Sequence, residues 1–266
     1  MQPPTARGCK CGTTRGGGWG KCVRHTHPMI SFIVPAYNEE QCLLETIDAL
    51  HQAGLALGKP YEIIVADDGS TDQTAAIALQ NGAIVVSVNH RQIAAVRNSG
   101  ALASTGEFLI FVDADTLVNP EVVLAAVNAM RQGAVGGGAG MLFDDPTPLY
   151  ARLMLRFVVH VFRWLGLATG CYLFCTRTAF DAVDGFDEKY YGAEEIVMSR
   201  ALKRQGKFII LKQAVTTSAR KMRTFPASEQ MLFMTRMALR GTKALKQRDG
   251  MEFWYAERRA DPGKDI

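Results

Sequence analysis

The sequence predicts an α/β protein with a mostly parallel central sheet flanked by helices, and three observations carry that prediction. Short apolar runs alternate with stretches of helical period from residue 30 to residue 113, and such alternation gives parallel strands joined by right-handed crossovers. Several of the runs end in polar or acidic clusters, and in open α/β sheets ligands bind at the carboxyl ends of strands. A chain of 266 residues, 48% hydrophobic and 21% charged, is long enough for a large core and ordinary for a globular protein.

Residues 1–28 are basic, glycine-rich and without hydrophobic period, which predicts disorder. Cys9, Cys11, Cys22, His25 and His27 raise the question of zinc, but their spacing matches no standard finger and no apolar residues are present to pack round a metal. The stretch also lacks the apolar centre of a signal peptide. The folded part is expected to begin at Met29.

Ile30 to Val34 read as the first strand, followed by Pro35-Ala36-Tyr37-Asn38-Glu39-Glu40. Leu43, Leu44, Ile47 and Leu50 mark the apolar side of a helix. Tyr61 to Ala66 form a second strand ending in Asp67-Asp68-Gly69-Ser70-Thr71-Asp72, with Asp72 as N-cap of a helix through Ala75, Ala76 and Leu79. Ala83 to Val88 give a third strand and residues 93–104 a helix. Phe108 to Val112, apolar throughout, read as a strand buried on both faces that stops at Asp113-Ala114-Asp115. In a parallel sheet these ends share one edge, and two carboxylates there suit a hard divalent cation, Mg²⁺ or Mn²⁺. The plainer alternative is a polar turn in which Asp115 caps the next helix.

Further on, Gly133 to Gly140 lacks the Lys-Ser/Thr of a phosphate loop and reads as a glycine-rich strand passing close to substrate. Leu149 to Leu167 read as a helix with Arg152, Arg156, His160 and Arg163 in one basic stripe. It either covers the sheet or faces a membrane or lipid acceptor. Cys171 and Cys175 should be packed thiols on one face of a strand. Glu194 and Glu195 open a helix through Met198, Ala201 and Leu202, and carboxylates are favourable in a first turn in any case. Arg97 and Asn98, on the helix after the third strand, either support the pocket by pairing with its carboxylates or lie on a solvated face. Arg220 and Arg223 suit bidentate contacts with phosphates, or else belong to a solvated basic loop. A last helix, Ser228 to about Lys246, carries Arg236, Arg240 and Lys243 on one side.

Charge is distributed unevenly. Residues 29–199 hold 9 Lys/Arg against 20 Asp/Glu, whereas residues 200–266 hold 16 against 6. The acidic part contains the candidate metal site, and the basic part suits phosphates or an anionic membrane surface. No nucleic-acid module is present, so no nucleic-acid partner is expected. No run of eighteen apolar residues appears, so no transmembrane helix is expected. The six cysteines do not form a secreted disulfide pattern, which favours a reducing, cytoplasmic setting, with possible peripheral contact on the inner membrane face.

Ile33 to Glu40, Val65 to Asp72, Arg97-Asn98-Ser99-Gly100, Phe111 to Asp115 and Phe180 to Glu188 resemble, in order and spacing, the motifs of family-2 glycosyltransferases. Glu194-Glu195-Ile196 through Arg200 is similar to that family's acidic catalytic motif, with Glu195 where the family usually has Asp. The resemblance covers about residues 29–215 and implies a GT-A fold, with inverting transfer of a sugar from a nucleotide-diphosphate donor to an acceptor hydroxyl on a glycan, lipid-linked or small-molecule acceptor. Pro35, Ala36, Tyr37 and Glu39 should then line the nucleoside pocket and Asp68 should receive the base. Asp113 should lie near ribose or metal, Asp115 should ligate the Mn²⁺ or Mg²⁺, and Glu195 or its neighbour Glu194 should be the base. The expected organisation is a disordered extension (1–28), a GT-A domain with donor half 29–116 and acceptor half 117–223, and a helical extension (224–266). The alternative is a non-catalytic nucleotide-sugar-binding protein derived from such an enzyme. A nucleotidyltransferase is disfavoured, because the glycine-rich, lysine-containing loop expected after its first strand is missing.

Overall fold

The computed structural model describes residues 30–144, 149–224 and 246. The extension 1–28 with its zinc question and, Lys246 apart, the helix expected from Ser228 lie outside the described residues.

The four predicted strands form, as β1 (Ile30–Ala36), β2 (Tyr61–Asp67), β3 (Ile84–Ser87) and β4 (Phe108–Val112). They pair in parallel in the order β3-β2-β1-β4. Helices α1 (Leu43–Leu57), α2 (Thr74–Gln80) and α3 (Ile93–Ala103) connect them. Alternate strand residues feed two separate cores. Phe32, Val34, Ile63, Val65, Ile110 and Val112 pack with Leu43, Ile47 and Leu50 of α1 and Val122, Val123 and Val127 of α4 (Pro120–Arg131). Ile33, Leu109 and Phe111 point the other way, towards Ala94 and Ala101 of α3 and Phe180, Phe186, Met198 and Leu202. Both faces of β4 are covered, so its sequence is an unbroken apolar run rather than an alternating one.

The rest of the chain builds the other side of the sheet from β5 (Thr116–Leu117), β6 (Ala134–Phe143), β7 (Tyr172–Thr176) and β8 (Lys207–Thr217). Helices α5 (Leu149–Leu165), α6 (Arg177–Ala182), α7 (Glu194–Gln205) and α8 (Arg220–Thr224) accompany them. The full order is β3-β2-β1-β4-β7-β6-β8-β5. Because β7 enters antiparallel between β4 and β6, four of the seven strand pairings are parallel and the far side is mixed. The two reversals also bring the carboxyl end of β6, at Phe143-Asp144, to the same edge as the ends of β1, β2 and β4.

Three local expectations change. The N-cap of α2 is Gln73, and Asp72 sits one residue earlier, still accepting the Thr74 amide at 2.9 Å. The glycines of β6 do permit close approach, but to the protein itself: a Cβ on Gly138 would lie 2.6 Å from that of Ala168, and one on Gly137 would collide with the Ile209 carbonyl. Cys171 and Cys175 are both buried and free, yet they join opposite cores, because Cys171 precedes β7 and belongs to the turn beside Asp113.

Candidate active site

The strand register places Ala36 beside Asp67 and Asp67 beside Ser87, so the polar ends of β1, β2 and β4 share one edge. At the first end Pro35 and Ala36 are buried, and the Ala36 carbonyl accepts the Asp68 amide at 2.9 Å. The Tyr37 ring is covered by the Arg91 guanidinium, 3.6 Å from its centroid, and the Tyr37 hydroxyl accepts Arg91 Nη2 at 2.7 Å. Asn38, at φ 51°, accepts the Thr71 amide through Oδ1, tying this turn to the one after β2. Asp68 is buried and accepts the amides of His90 and Arg91 at 2.6 and 3.0 Å, both through Oδ1.

The Asp113-Ala114-Asp115 turn is held through its backbone on three sides. The Asp113 amide donates to the Cys171 carbonyl at 3.2 Å, Thr46 Oγ1 of α1 donates to the Ala114 carbonyl at 2.9 Å, and the Ser218 amide donates to the Asp115 carbonyl at 3.0 Å. Both side chains stay partly open, Asp113 at 30% and Asp115 at 16%. Asp115 caps no helix; the residue that caps α4 is Asn119, whose side chain accepts the Val122 amide. Beside Asp115 lies Arg220, buried, with Nη2 2.6 Å from Glu39 and 4.0 Å from Asp115. Burial opposes the Arg220 charge, but Glu39 and Asp115 outweigh it and hold the guanidinium above its ordinary pKa. Arg223 instead pairs with Asp144 at 2.9 Å, and Asp144 also receives the Ala219 amide. Arg223 thus anchors α8 to the end of β6.

Arg97 joins the strand edge to the acidic helix. It is 2% exposed, so it does not lie on a solvated face. Nη1 donates to Glu194, while Nη2 donates to Asp113 at 2.8 Å and to the Gly170 carbonyl at 2.9 Å. Burial works against its charge, yet Asp113 and Glu194 together raise its pKa. Neighbouring Asn98 donates to the Phe186 carbonyl and Glu188 and accepts the Phe186 amide, pinning the 186–188 segment against α3.

Glu194 and Glu195 follow Ala193, a non-glycine residue at φ 57°. Successive helical positions point about 100° apart, so one guanidinium does not neutralise both. Glu194 takes the Arg97 ion pair and is 4% exposed. Glu195 has no ion pair among the described residues, and its carboxylate lies against Gly170, where a Cβ would come 3.5 Å from its carboxyl carbon. Burial first, and the Glu194 charge second, push its pKa well above the ordinary carboxylate range. The edge therefore combines backbone-tied strand ends, two partly open carboxylates, a buried arginine and a carboxylate of raised basicity.

The sequence profile described as glycosyl transferase family 2 matches residues 31–185, more than half of the chain. The chain belongs to that family. Undecaprenyl-phosphate 4-deoxy-4-formamido-L-arabinose transferase of Pseudomonas aeruginosa is 37% identical over 113 residues, which are 40% of this chain and 33% of that relative. The chain thus spans about a third of the length of the curated relatives it matches. Among solved structures, the mannosyltransferase from Pyrobaculum calidifontis in complex with GDP-Man and Mn²⁺ superposes with a TM-score of 0.63 at 20% identity, covering 83% of this chain and 65% of that one. Glucosyl-3-phosphoglycerate synthase from Mycobacterium tuberculosis, in complex with Mn²⁺, UDP and glucosyl-3-phosphoglycerate, gives 0.53 at 22% identity, over 83% and 80%. At such identities the likeness shows the fold, which is GT-A.

Of the residues named from sequence, Asp113, Glu194 and Arg97 form one cluster, and Asp115, Glu39 and Arg220 a second, each with its Asp at the open side. Family motifs did not point to Gly170, Cys171, Asp144 or Arg91, all of which hold site residues in place. Asp144 alone left a signal, an acidic residue at the end of an apolar run. Gly170 and Cys171 act through their carbonyls, which the identity of a side chain does not reveal.

Proposed function

We propose that the chain is an inverting, divalent-metal-dependent glycosyltransferase that moves a sugar from a nucleoside diphosphate donor to an acceptor hydroxyl. The supporting observation is the division of labour at α7, where Arg97 engages Glu194 and leaves Glu195 as the basic carboxylate of the pocket. In this reading residues 29–116 bind the donor and 117–223 the acceptor. Pro35, Ala36 and Tyr37 line the nucleoside pocket, and Asp68 meets the base through Oδ2, which takes no hydrogen bond among the described residues. Glu39 positions Arg220 for the diphosphate.

Among the described residues no three His, Cys, Asp or Glu side chains cluster as a complete metal cage. That fits Mg²⁺ or Mn²⁺ held by one or two carboxylates, here Asp115 and Asp113, with substrate phosphates completing the shell. When bound, the ion neutralises charge developing on the diphosphate leaving group. Glu195 takes the proton of the acceptor hydroxyl as its oxygen attacks the anomeric carbon. The bond from that carbon to the phosphate oxygen breaks, and its electron pair leaves with the nucleoside diphosphate beside Arg220. Attack opposite the leaving group inverts the anomeric centre. The deciding experiment is transfer and donor binding by Glu195→Gln. Normal donor binding with transfer lost supports the reading and excludes a non-catalytic binding protein; full transfer removes Glu195 as base.

The name of the Pseudomonas relatives supports a second reading, in which the acceptor is a lipid phosphate. A phosphate oxygen is already ionised and needs no base, so Glu195→Gln then retains most transfer to polyprenyl phosphate. Either acceptor is compatible with an enzyme on the cytoplasmic side of a membrane. None of the described helices is long and apolar enough to cross one.

A further inference from the structure

The outer face of α5 plays no part in the chemistry above. Helical positions about 100° apart sort its 17 residues into three stripes. Leu155 is buried and Val158, Val159 and Phe162 are partly buried, where the helix packs on β6. Next to them run Arg152, Arg156 and His160, all exposed, and Arg163, which donates to the Leu211 carbonyl at 2.9 Å. The third stripe is apolar and faces solvent: Tyr150, Leu153, Met154, Phe157, Trp164 and Leu165. Phe157 is 70% exposed and Trp164 81%. A helix covering a sheet needs one apolar face, and this helix has two.

We propose that this second face docks on an anionic lipid bilayer, with Phe157 and Trp164 in the interfacial layer and Arg156 beside the lipid phosphates. Aromatic and aliphatic residues on one sector with a bordering basic stripe are the composition of an interfacial helix. Residues 149–165 contain no Asp or Glu. Contact with a second copy through the same face would therefore set Arg156 among like charges with no acid on the helix to offset them, whereas lipid phosphates supply the missing anions. The final segment 225–266 brings no excess of acid either, with 8 Lys/Arg against 6 Asp/Glu. Position fits as well: five residues beyond Leu165, Gly170 touches both Arg97 and Glu195. A bilayer against α5 thus lies next to the acceptor side of the pocket. The use of such docking, delivery of a lipid-borne acceptor, rests on the proposed transfer reaction; the docking itself does not.

The test is flotation of the full chain with vesicles of phosphatidylglycerol and phosphatidylcholine, against phosphatidylcholine alone. Wild type is expected to float with the anionic vesicles only. Phe157→Ser combined with Trp164→Ser should lower the bound fraction at least about tenfold while donor binding, followed by thermal shift with Mn²⁺, is kept. Tyr150→Ser with Leu153→Ser gives the same loss if the first pair proves unstable. Arg156→Gln should weaken the anionic preference. Asp115→Ala should float like wild type, which separates docking from the transfer reading. No flotation of wild type, unchanged flotation of both paired variants, or conversion by them of a dimer into monomers without vesicle binding would each overturn the proposal.

Discussion

The two sides of the sheet solve different problems in different ways. On the side of β3, β2, β1 and β4, every pairing is parallel, and the strand ends are held largely by backbone amides and short turns. On the side of β7, β6, β8 and β5 the sheet is mixed, and its contribution to the site depends on ion pairs reaching across the fold: the buried pairs Arg97 to Glu194 and Arg220 to Glu39, and the partly buried pair Arg223 to Asp144. The first arrangement makes a rigid, general cradle. The second places reactive charges where removing one partner leaves another stranded.

The largest expected effect tests the cradle. Asp115→Ala, or chelation of the metal in wild type, is expected to lower transfer on the order of 10³-fold, the scale of a removed electrostatic stabiliser. Donor binding with Mn²⁺, measured by calorimetry, should fall in parallel. Full metal-dependent activity in the variant would move the cation elsewhere.

Glu195→Gln separates the two sides. Transfer to a hydroxyl is expected to fall about 10²–10⁴-fold with the donor dissociation constant unchanged. The pH dependence has a definite sign. A base must be deprotonated, so kcat/KM for wild type should rise with pH through a value above the ordinary carboxylate range, and the variant should lack that limb. Stability runs the other way. A carboxyl with a raised folded pKa binds more protons folded than unfolded between its unfolded and folded values, so stability declines as pH rises across that window. In the absence of metal and donor, Glu195→Gln should therefore melt above wild type at and above neutral pH, with the advantage shrinking towards acid. A variant less stable than wild type at every pH would contradict the partly buried, raised carboxyl.

Arg97→Met probes the ion-pair side directly. It leaves Glu194 buried without its ion pair and removes the Arg97 contact of Asp113, and breaking such a cluster costs about 3–5 kcal/mol. Urea denaturation measures this. A loss under about 1 kcal/mol would mean that the cluster behaves like a surface pair.

What was legible in the sequence follows the same division. β1 to β4 could be read because each is a short apolar run stopped by a polar cluster, and Asp113 and Asp115 because their turn ends such a run. Arg97 could not be assigned, because the pattern of a helix does not tell a solvated arginine from one aimed at Glu194, 97 positions further on. Glu194 and Glu195 are the same residue type, so only the family resemblance favours Glu195 in the sequence, whereas in the structure the Arg97 ion pair with Glu194 distinguishes them. The shared strand face expected for the packed thiols Cys171 and Cys175 is not formed, because the point where β7 starts is fixed by pairing with β4. The periodicity of α5 showed an apolar helix without showing which sector the sheet covers.

The smallest effect lies where the ion-pair side meets the backbone. Ala193 holds φ 57° immediately before Glu194, a conformation that costs a residue with a Cβ about 1–2 kcal/mol. Strain of this kind persists where the surroundings enforce it, and here Arg97 pulls Glu194 inward from one side. Ala193→Gly removes the steric cost but frees the unfolded chain, which offsets roughly 0.5–1 kcal/mol. The net expectation is a gain of about 0.5 kcal/mol, seen as a small rise in melting temperature, with kcat modestly lower because the turn no longer fixes the start of α7. Destabilisation by glycine would mean that Ala193 is not strained and that the ion pairs alone hold Glu195 in place.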